Sequence, residues 1–306
     1  MNILFVSSGN TKEGISPIVY NQGISLQEIG HKITFFTIKE KGIKGYLKYI
    51  FILRNYLKDN PSDIVHAHYS LSAFAAALAG AKPMVVSLMG SDVKASPLLK
   101  YIIRIFKNIF WKKVIVKSED MKASVKLSNV SVVPNGVDFS KFKPISREQA
   151  LKVTGWDTTK KHVLFAANPK RREKNYPLAE KGFRSIDSSI SAELHTLTDI
   201  PNLLMPAYFN AADVVLLTSL WEGSPNVIKE AMACNCKIVA VDVGDVKQVI
   251  GDTDGCFITD SHEQDISNKL EKALKVTEKT TGRTKISHLS SALIAEKLVT
   301  IYSTIT

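Results

Sequence analysis

At 306 residues the chain is long enough for about two domains at roughly 150 residues each. Hydrophobic residues make up 45%, enough for two cores, and no apolar run approaches the ~20 residues needed to span a bilayer, so disordered, collagenous and membrane-spanning classes are excluded. Forty Lys and Arg against 29 Asp and Glu give a formal charge of +11, which implies an anionic partner of unspecified kind: nucleic acid, lipid headgroup or phosphorylated substrate.

The opening Met1-Asn2-Ile3-Leu4-Phe5-Val6 lacks the basic start and small-residue cleavage site of a signal peptide and reads as a first buried strand. Strands are expected over 3–7, 32–38, 64–66, 84–88, 114–117 and 130–133, with helices over 16–29 (stopped at Gly30), 46–58, 70–79, 98–112 and 119–125 between them. Such alternation yields a parallel sheet covered on both faces. Pro134-Asn135-Gly136-Val137-Asp138 interrupts it, Asn-Gly being a turn signal, and a polar, Lys-rich stretch leads to about Asp157. The pattern then restarts, with strands over 162–167, 191–196, 214–217, 237–241 and 255–259. Helices are expected over 176–186, 206–211, 225–234, 246–250, 263–277 and 285–303. Two Rossmann-like halves on one linker would bind ligands in a cleft at the carboxyl ends of their strands.

In the first half, Ser7-Ser8-Gly9-Asn10-Thr11-Lys12-Glu13-Gly14 follows the first strand but is not G-x-G-x-x-G, and 33–38 supplies no acid for an NAD ribose. Gly14 would let the backbone approach a ligand closely, or simply form a turn. His66 and His68 end a strand, yet no third ligand at suitable spacing makes them a metal pair. Asp92, in Met89-Gly90-Ser91-Asp92, is placed either to orient a hydroxyl or to cap a helix. Basic and aromatic residues mingle over 39–58 (Lys41, Lys44, Lys48, Arg54) and 98–117 (Lys100, Arg104, Lys107, Lys112, Lys113), as they would on a surface meeting anionic lipid or on ordinary sheet-covering helices with a solvated face.

In the second half, Lys170, Arg171, Arg172 and Lys174 follow a strand end, where four cations would either stay solvated on an ordinary loop or neutralise a diphosphate and the charge growing on it as a sugar leaves. The stretch 196–205 is expected near the nucleotide base, and Gly244 in a turn. The richest segment is Glu222-Gly223-Ser224-Pro225-Asn226-Val227-Ile228-Lys229-Glu230. It follows a buried strand and opens a helix, with Ser224 expected as N-cap and Pro225 at the first helical position. The N–H groups of Asn226 and Val227 at the positive helix end form an anion site, flanked by two carboxylates suited to sugar hydroxyls. A nucleotide diphosphate sugar has that shape. Cys234, Cys236 and Cys256 are an odd number without metal spacing, so neither a disulfide framework nor a metal site is expected, and a cytoplasmic location follows.

Thr218-Ser219-Leu220-Trp221-Glu222-Gly223-Ser224-Pro225-Asn226, with seven residues between Glu222 and Glu230, resembles the donor signature of the retaining, family-four glycosyltransferases of the GT-B fold. The resemblance implies an α/β chain of two Rossmann-like domains facing each other across a cleft. Residues 1–140 would form the acceptor side, 141–285 would bind the nucleotide sugar, and 286–306 would cross back to the first domain. It implies Glu222 positioning the donor sugar, Glu230 holding the ribose, and Lys174 with Arg172 or Arg171 meeting the leaving-group charge. Gly223, Ser224, Pro225, Asn226 and Val227 complete the donor site, and Gly14, His68 and Asp92 are acceptor-side candidates. Met89 stands where the family usually has His, which leaves His68 or backbone groups as substitutes, and 133–138 resembles the family's interdomain turn. No metal or cofactor is implied. The expected partners are the nucleotide sugar, a carbohydrate or lipid-linked acceptor, and peripherally an anionic membrane, not nucleic acid. Rival readings are a GT-B nucleotide-sugar epimerase, a basic nucleic-acid-binding protein and a non-catalytic homologue.

Overall fold

Val-, Ile- and Leu-rich runs form two parallel sheets in a computed structural model that describes residues 1–10, 14–40, 42–90, 92 and 97–305. One sheet lies in each of two units, Met1–Gly136 with Ser291–Thr306 and Val137–Ser290. Positions Thr11, Lys12, Glu13, Lys41 and Ser91, singled out by sequence, fall outside the described residues.

Among the described residues the first unit has six parallel strands: β1 (Asn2–Ser8), β2 (Lys32–Ile38), β3 (Ile64–His68), β4 (Met84–Ser87), β5 (Lys113–Val116) and β6 (Val130–Val132), in the order β2-β1-β3-β4-β5-β6. All five residues of β3 are buried, as expected of a central strand covered on both faces. Around them lie α1 (Pro17–Glu28), α2 (Gly42–Asp59), α3 (Ser70–Ala79), α4 (Pro97–Ile109), α5 (Glu119–Val125) and, from the C-terminal segment, the helix Ser291–Ser303. Helix α3 stops where Gly80 turns left-handed at φ 94°, and Ser118 Oγ caps α5 by accepting from Met121 N. Strand β3 runs two residues past its expected end and so carries His68 within the sheet. Helix α2 starts four residues before the expected 46.

The second unit contains α6 (Arg147–Thr154), β7 (Lys161–Phe165), α7 (Tyr176–Arg184), β8 (Ala192–Thr196), α8 (Met205–Ala211), β9 (Val214–Leu217), α9 (Asn226–Ala233), β10 (Lys237–Val241), α10 (Val246–Ile250), β11 (Cys256–Thr259), α11 (Glu263–Lys275) and α12 (Gly282–Lys285); the C-terminal helix Ser291–Ser303 is α13. Its parallel sheet has the order β11-β10-β9-β7-β8. Helix α6 lies in the stretch expected to be an irregular linker. Ser146 Oγ accepts from Gln149 N at its start and Gly155 ends it at φ 70°.

The units divide at Gly136/Val137 and Ser290/Ser291, a few residues from the expected 140/141 and 285/286. Val137 stays with the second unit because its N–H donates to Leu289 O at 2.9 Å. Gly136 stays with the first, where a Cβ would come within 2.7 Å of Ser291 Cα, so no larger residue fits. The expected single helix over 285–303 is instead α12, a 3₁₀ turn Ser287–Leu289 and α13. Among the described residues no helix is long and apolar enough to cross a membrane. The three cysteines are unbridged.

Candidate functional site

In the second unit the strand order reverses at β7, with β8 on one side and β9 on the other, so the loops leaving the carboxyl ends of β7 and β9 emerge side by side. Leu220 N donates to Glu173 O at 2.9 Å, and Thr218 Oγ1 donates toward Lys174 O and Asn175 O at 3.1 and 3.0 Å. The first loop tightens into a 3₁₀ turn, Arg172–Lys174, closed by Asn175 in the left-handed region at φ 54°. Asn is among the few side chains that tolerate it. This brings Lys174 Nζ to 2.5 Å from Glu222 Oε1, which also accepts from Ser219 Oγ at 2.7 Å. The Lys174 and Glu222 side chains are 13% and 15% exposed, so the pair is largely shielded from water yet reachable.

Helix α9 begins at Asn226, with Pro225 rather than Ser224 as its N-cap. The sequence expectation fails because Ser224 Oγ has a stronger demand on it. It accepts from buried Lys229 Nζ and donates to Asp245 Oδ2, which lies 3.9 Å from Lys229 Nζ. Burial pushes Lys229 down and Asp245 up, each opposed by the other's charge. Beside them Gly244 sits at φ 64°, and a Cβ there would approach Gly223 O to 2.7 Å and Glu222 O to 3.1 Å. The Glu222-Gly223 turn therefore rests directly on Gly244. Asn226 and Val227 occupy the first turn of α9, at the positive end of its dipole. Lys229 and Asp245 escaped sequence reading because a Lys one position before Glu230 looks like solvated helix surface.

Glu230 lies one turn into α9, partly buried. Burial raises its carboxyl from the ordinary 4.5 to about 7, while the Lys141 and Lys229 ammoniums pull the other way. Lys141 is lowered by its own burial and donates to Asn202 Oδ1, within the stretch expected near the base. Of the other cations, Arg171 turns to Glu173 Oε1 (2.7 Å from Nε, 2.6 Å from Nη2), and Arg172 is exposed on the 3₁₀ turn. Lys174 alone of these three is joined to Glu222.

In the first unit, His68 is buried at the end of β3 between His66 (ring centroids 4.3 Å apart) and Phe5 (4.6 Å). Among the described residues its Nε2 has no hydrogen-bond partner, and burial with the Lys117 charge holds the ring well below its ordinary value, so it is neutral. His66 meets Tyr302 Oη at 2.6 Å and Ser87 Oγ at 2.9 Å. Asp92 is fully buried. Its Oδ1 accepts from Ser70 N and Oγ at 2.9 and 2.5 Å, and its Oδ2 from Met89 N at 2.7 Å. Those bonds tie the start of α3 to the loop after β4. Gly14 adopts φ 77°, a conformation that favours glycine.

Residues 12–141 match the family model Glycosyltransferase Family 4, and residues 164–275 match Glycosyl transferases group 1. The chain is 27% identical over 220 residues to the putative teichuronic acid biosynthesis glycosyltransferase TuaC of Bacillus subtilis (strain 168), a match covering 63% of this chain and 57% of that protein. It thus spans little more than half of that relative's length. Identity is 28% over 283 residues to the UDP-Gal:alpha-D-GlcNAc-diphosphoundecaprenol alpha-1,3-galactosyltransferase of Escherichia coli, covering 76% of this chain and 70% of that one. Among solved structures, sucrose-phosphate synthase from Thermosynechococcus elongatus superposes with a TM-score of 0.80 at 15% identity, covering 99% and 98% of the two chains. Anabaena HepE in complex with UDP and glucose superposes at 0.78 and 15%, covering 99% and 100%. At such identities the structural likeness establishes a shared fold.

Proposed function

This chain belongs to family 4 of the GT-B glycosyltransferases, and we propose that it moves a hexosyl group from a nucleotide diphosphate sugar to an acceptor hydroxyl, with retention of anomeric configuration, in polysaccharide or glycolipid synthesis. The observation that carries this reading is the Lys174–Glu222 pair, held by the loops after β7 and β9 beside the start of α9. On this reading the diphosphate lies against the Asn226 and Val227 N–H groups and displaces or shares the Lys174 ammonium. Lys174, with Arg172 or Arg171 swinging in from the exposed turn, meets the negative charge that grows as the glycosidic bond breaks. Glu222 accepts hydrogen bonds from the sugar and Glu230 from the ribose. The departing phosphate oxygen takes the acceptor's proton on the same face, so the reaction as proposed uses no metal or cofactor.

Contact with an anionic membrane belongs to the same proposal and rests on the first unit. Leu98, Tyr101 and Ile109 of α4 are 68%, 61% and 66% exposed, with Lys100 and Arg104 exposed among them. Leu47 and Phe51 of α2 are likewise exposed beside Lys44 and Lys48. Apolar side chains interleaved with cations suit a headgroup boundary.

Calorimetry with UDP, GDP and ADP tests the donor site. One of them is expected to bind, and Glu230→Ala to weaken it at least about tenfold, the loss of one good hydrogen-bonding group. Failure of all three to bind, or equal affinity in Glu230→Ala, would overturn the assignment.

A further inference from the structure

Three side chains that commonly ligate metals share one face of the second unit's sheet, beginning at the start of β7, the end remote from the Lys174 loop. His162 of β7 pairs in register with Glu193 of β8, and His195 follows two residues later along the same edge strand. A spacing of two keeps side chains on one face. His162 Nδ1 lies 2.9 Å from His195 Nε2, and Glu193 Oε2 lies 3.7 Å from that same nitrogen. All three ligand atoms fall within 4.8 Å of one another.

Their surroundings already resemble the supporting shell of a metal centre. His162 Nε2 lies 2.8 Å from Asp157 O. A carbonyl only accepts, so the proton sits on Nε2 and the Nδ1 lone pair points into the cluster. The Trp156 indole stacks on His195 at 3.8 Å and 11°, fixing the plane of that ring. Lys160 Nζ occupies Glu193 Oε1 at 2.5 Å and leaves Oε2 facing the imidazoles.

We propose that His162 Nδ1, His195 Nε2 and Glu193 Oε2 bind a borderline divalent cation, zinc foremost, which ties the edge strand β8 to β7. Two imidazole nitrogens at ~2.0–2.1 Å from a tetrahedral zinc stand about 3.3 Å apart, so the observed separation opens by roughly 0.4 Å. On binding, the His195 proton passes from Nε2 to Nδ1 through solvent, and water fills the fourth position. Two nitrogens and one carboxylate oxygen are a donor set that suits zinc. The site is distinct from the donor site and does not depend on the transferase reading.

Protein stripped with chelator and dialysed is titrated with zinc chloride in a calorimeter, and bound metal is counted by atomic emission. One equivalent is expected, with a thermal midpoint that rises with free zinc. His195→Ala is expected to weaken binding by more than about 100-fold, beyond the ~10–100-fold typical of outer-shell changes. Glu193→Gln should weaken it by about tenfold or more. Both positions are partly exposed, and circular dichroism without zinc verifies that each variant folds. Cys256→Ser is the control and should bind as wild type, because burial pushes that thiol up to about 12, far from the thiolate that ligates. Wild-type protein that takes up no stoichiometric zinc, or uptake that persists in His195→Ala, would overturn the proposal.

Discussion

On the proposed reading Lys174 and Glu230 serve the donor site in different ways. Lys174 is already paired to Glu222 at 2.5 Å, so removing it mainly deprives the transition state of a cation. Lys174→Ala should lower kcat by about 10²–10³-fold while changing donor affinity much less, and steady-state kinetics with separate calorimetry would resolve the two. Glu230 has a folded-state value of about 7, above its ordinary 4.5. The folded chain therefore holds this proton more tightly than the unfolded chain. Stability falls as pH rises from about 4.5 to 7 and stays reduced above that window. Glu230→Gln removes this dependence and should stabilise the protein at pH 8 by on the order of 2 kcal/mol, read from denaturant melts at pH 5 and 8. A wild-type and variant difference that is the same at both pH values would argue against it. That Lys174 and Glu222 lie on loops after strand ends and Glu230 on the helix that follows was legible because strand, turn and helix signals succeed one another in the sequence. The Lys229–Ser224–Asp245 relay was not, since nothing local marks a lysine as buried.

At the scale of elements, the strand and helix alternation was legible almost throughout, because parallel strands covered on both faces must be continuous apolar runs. Helix α6 was obscured by the polar stretch around it, although Ser146 and Gly155 supply ordinary start and stop signals. The start of α9 was misplaced by one residue because a serine before a proline reads as a cap, whereas Asp245 at the start of α10 and Lys229 from within α9 itself claim its hydroxyl. The turn that α9 follows depends on Gly244. Gly244→Ala forces φ 64° on a residue with a Cβ and drives that atom to 2.7 Å from Gly223 O. A cost of about 1–3 kcal/mol is expected, lowering the thermal midpoint by about 3–10 °C and weakening nucleotide binding as the turn shifts. An unchanged melting curve would show that the turn yields easily.

Over the whole molecule the excess of 40 cations over 29 anions is matched by a local pattern, since exposed apolar and basic side chains coincide on α2 and α4 of the first unit. Protein mixed with phosphatidylglycerol vesicles should float with them at low salt and much less at 0.15 M, where the screening length falls to ~8 Å from ~30 Å at 0.01 M. A Leu98→Glu, Ile109→Glu double variant should lose flotation at both, and wild-type protein that stays at the bottom of a low-salt gradient would remove the membrane from the proposal. The two-unit organisation was visible as a pattern that stops and restarts, but the exact seams depend on single contacts, Val137 to Leu289 and Gly136 to Ser291, that no local pattern encodes.

Helix α13 belongs to the first unit, where Ile294, Leu298 and Tyr302 are buried and Tyr302 Oη reaches His66. On the ribosome, then, the portion made first cannot finish folding when its own six strands have emerged. It must wait, with an apolar seam open beside His66, until about 150 further residues and then α13 itself have been translated.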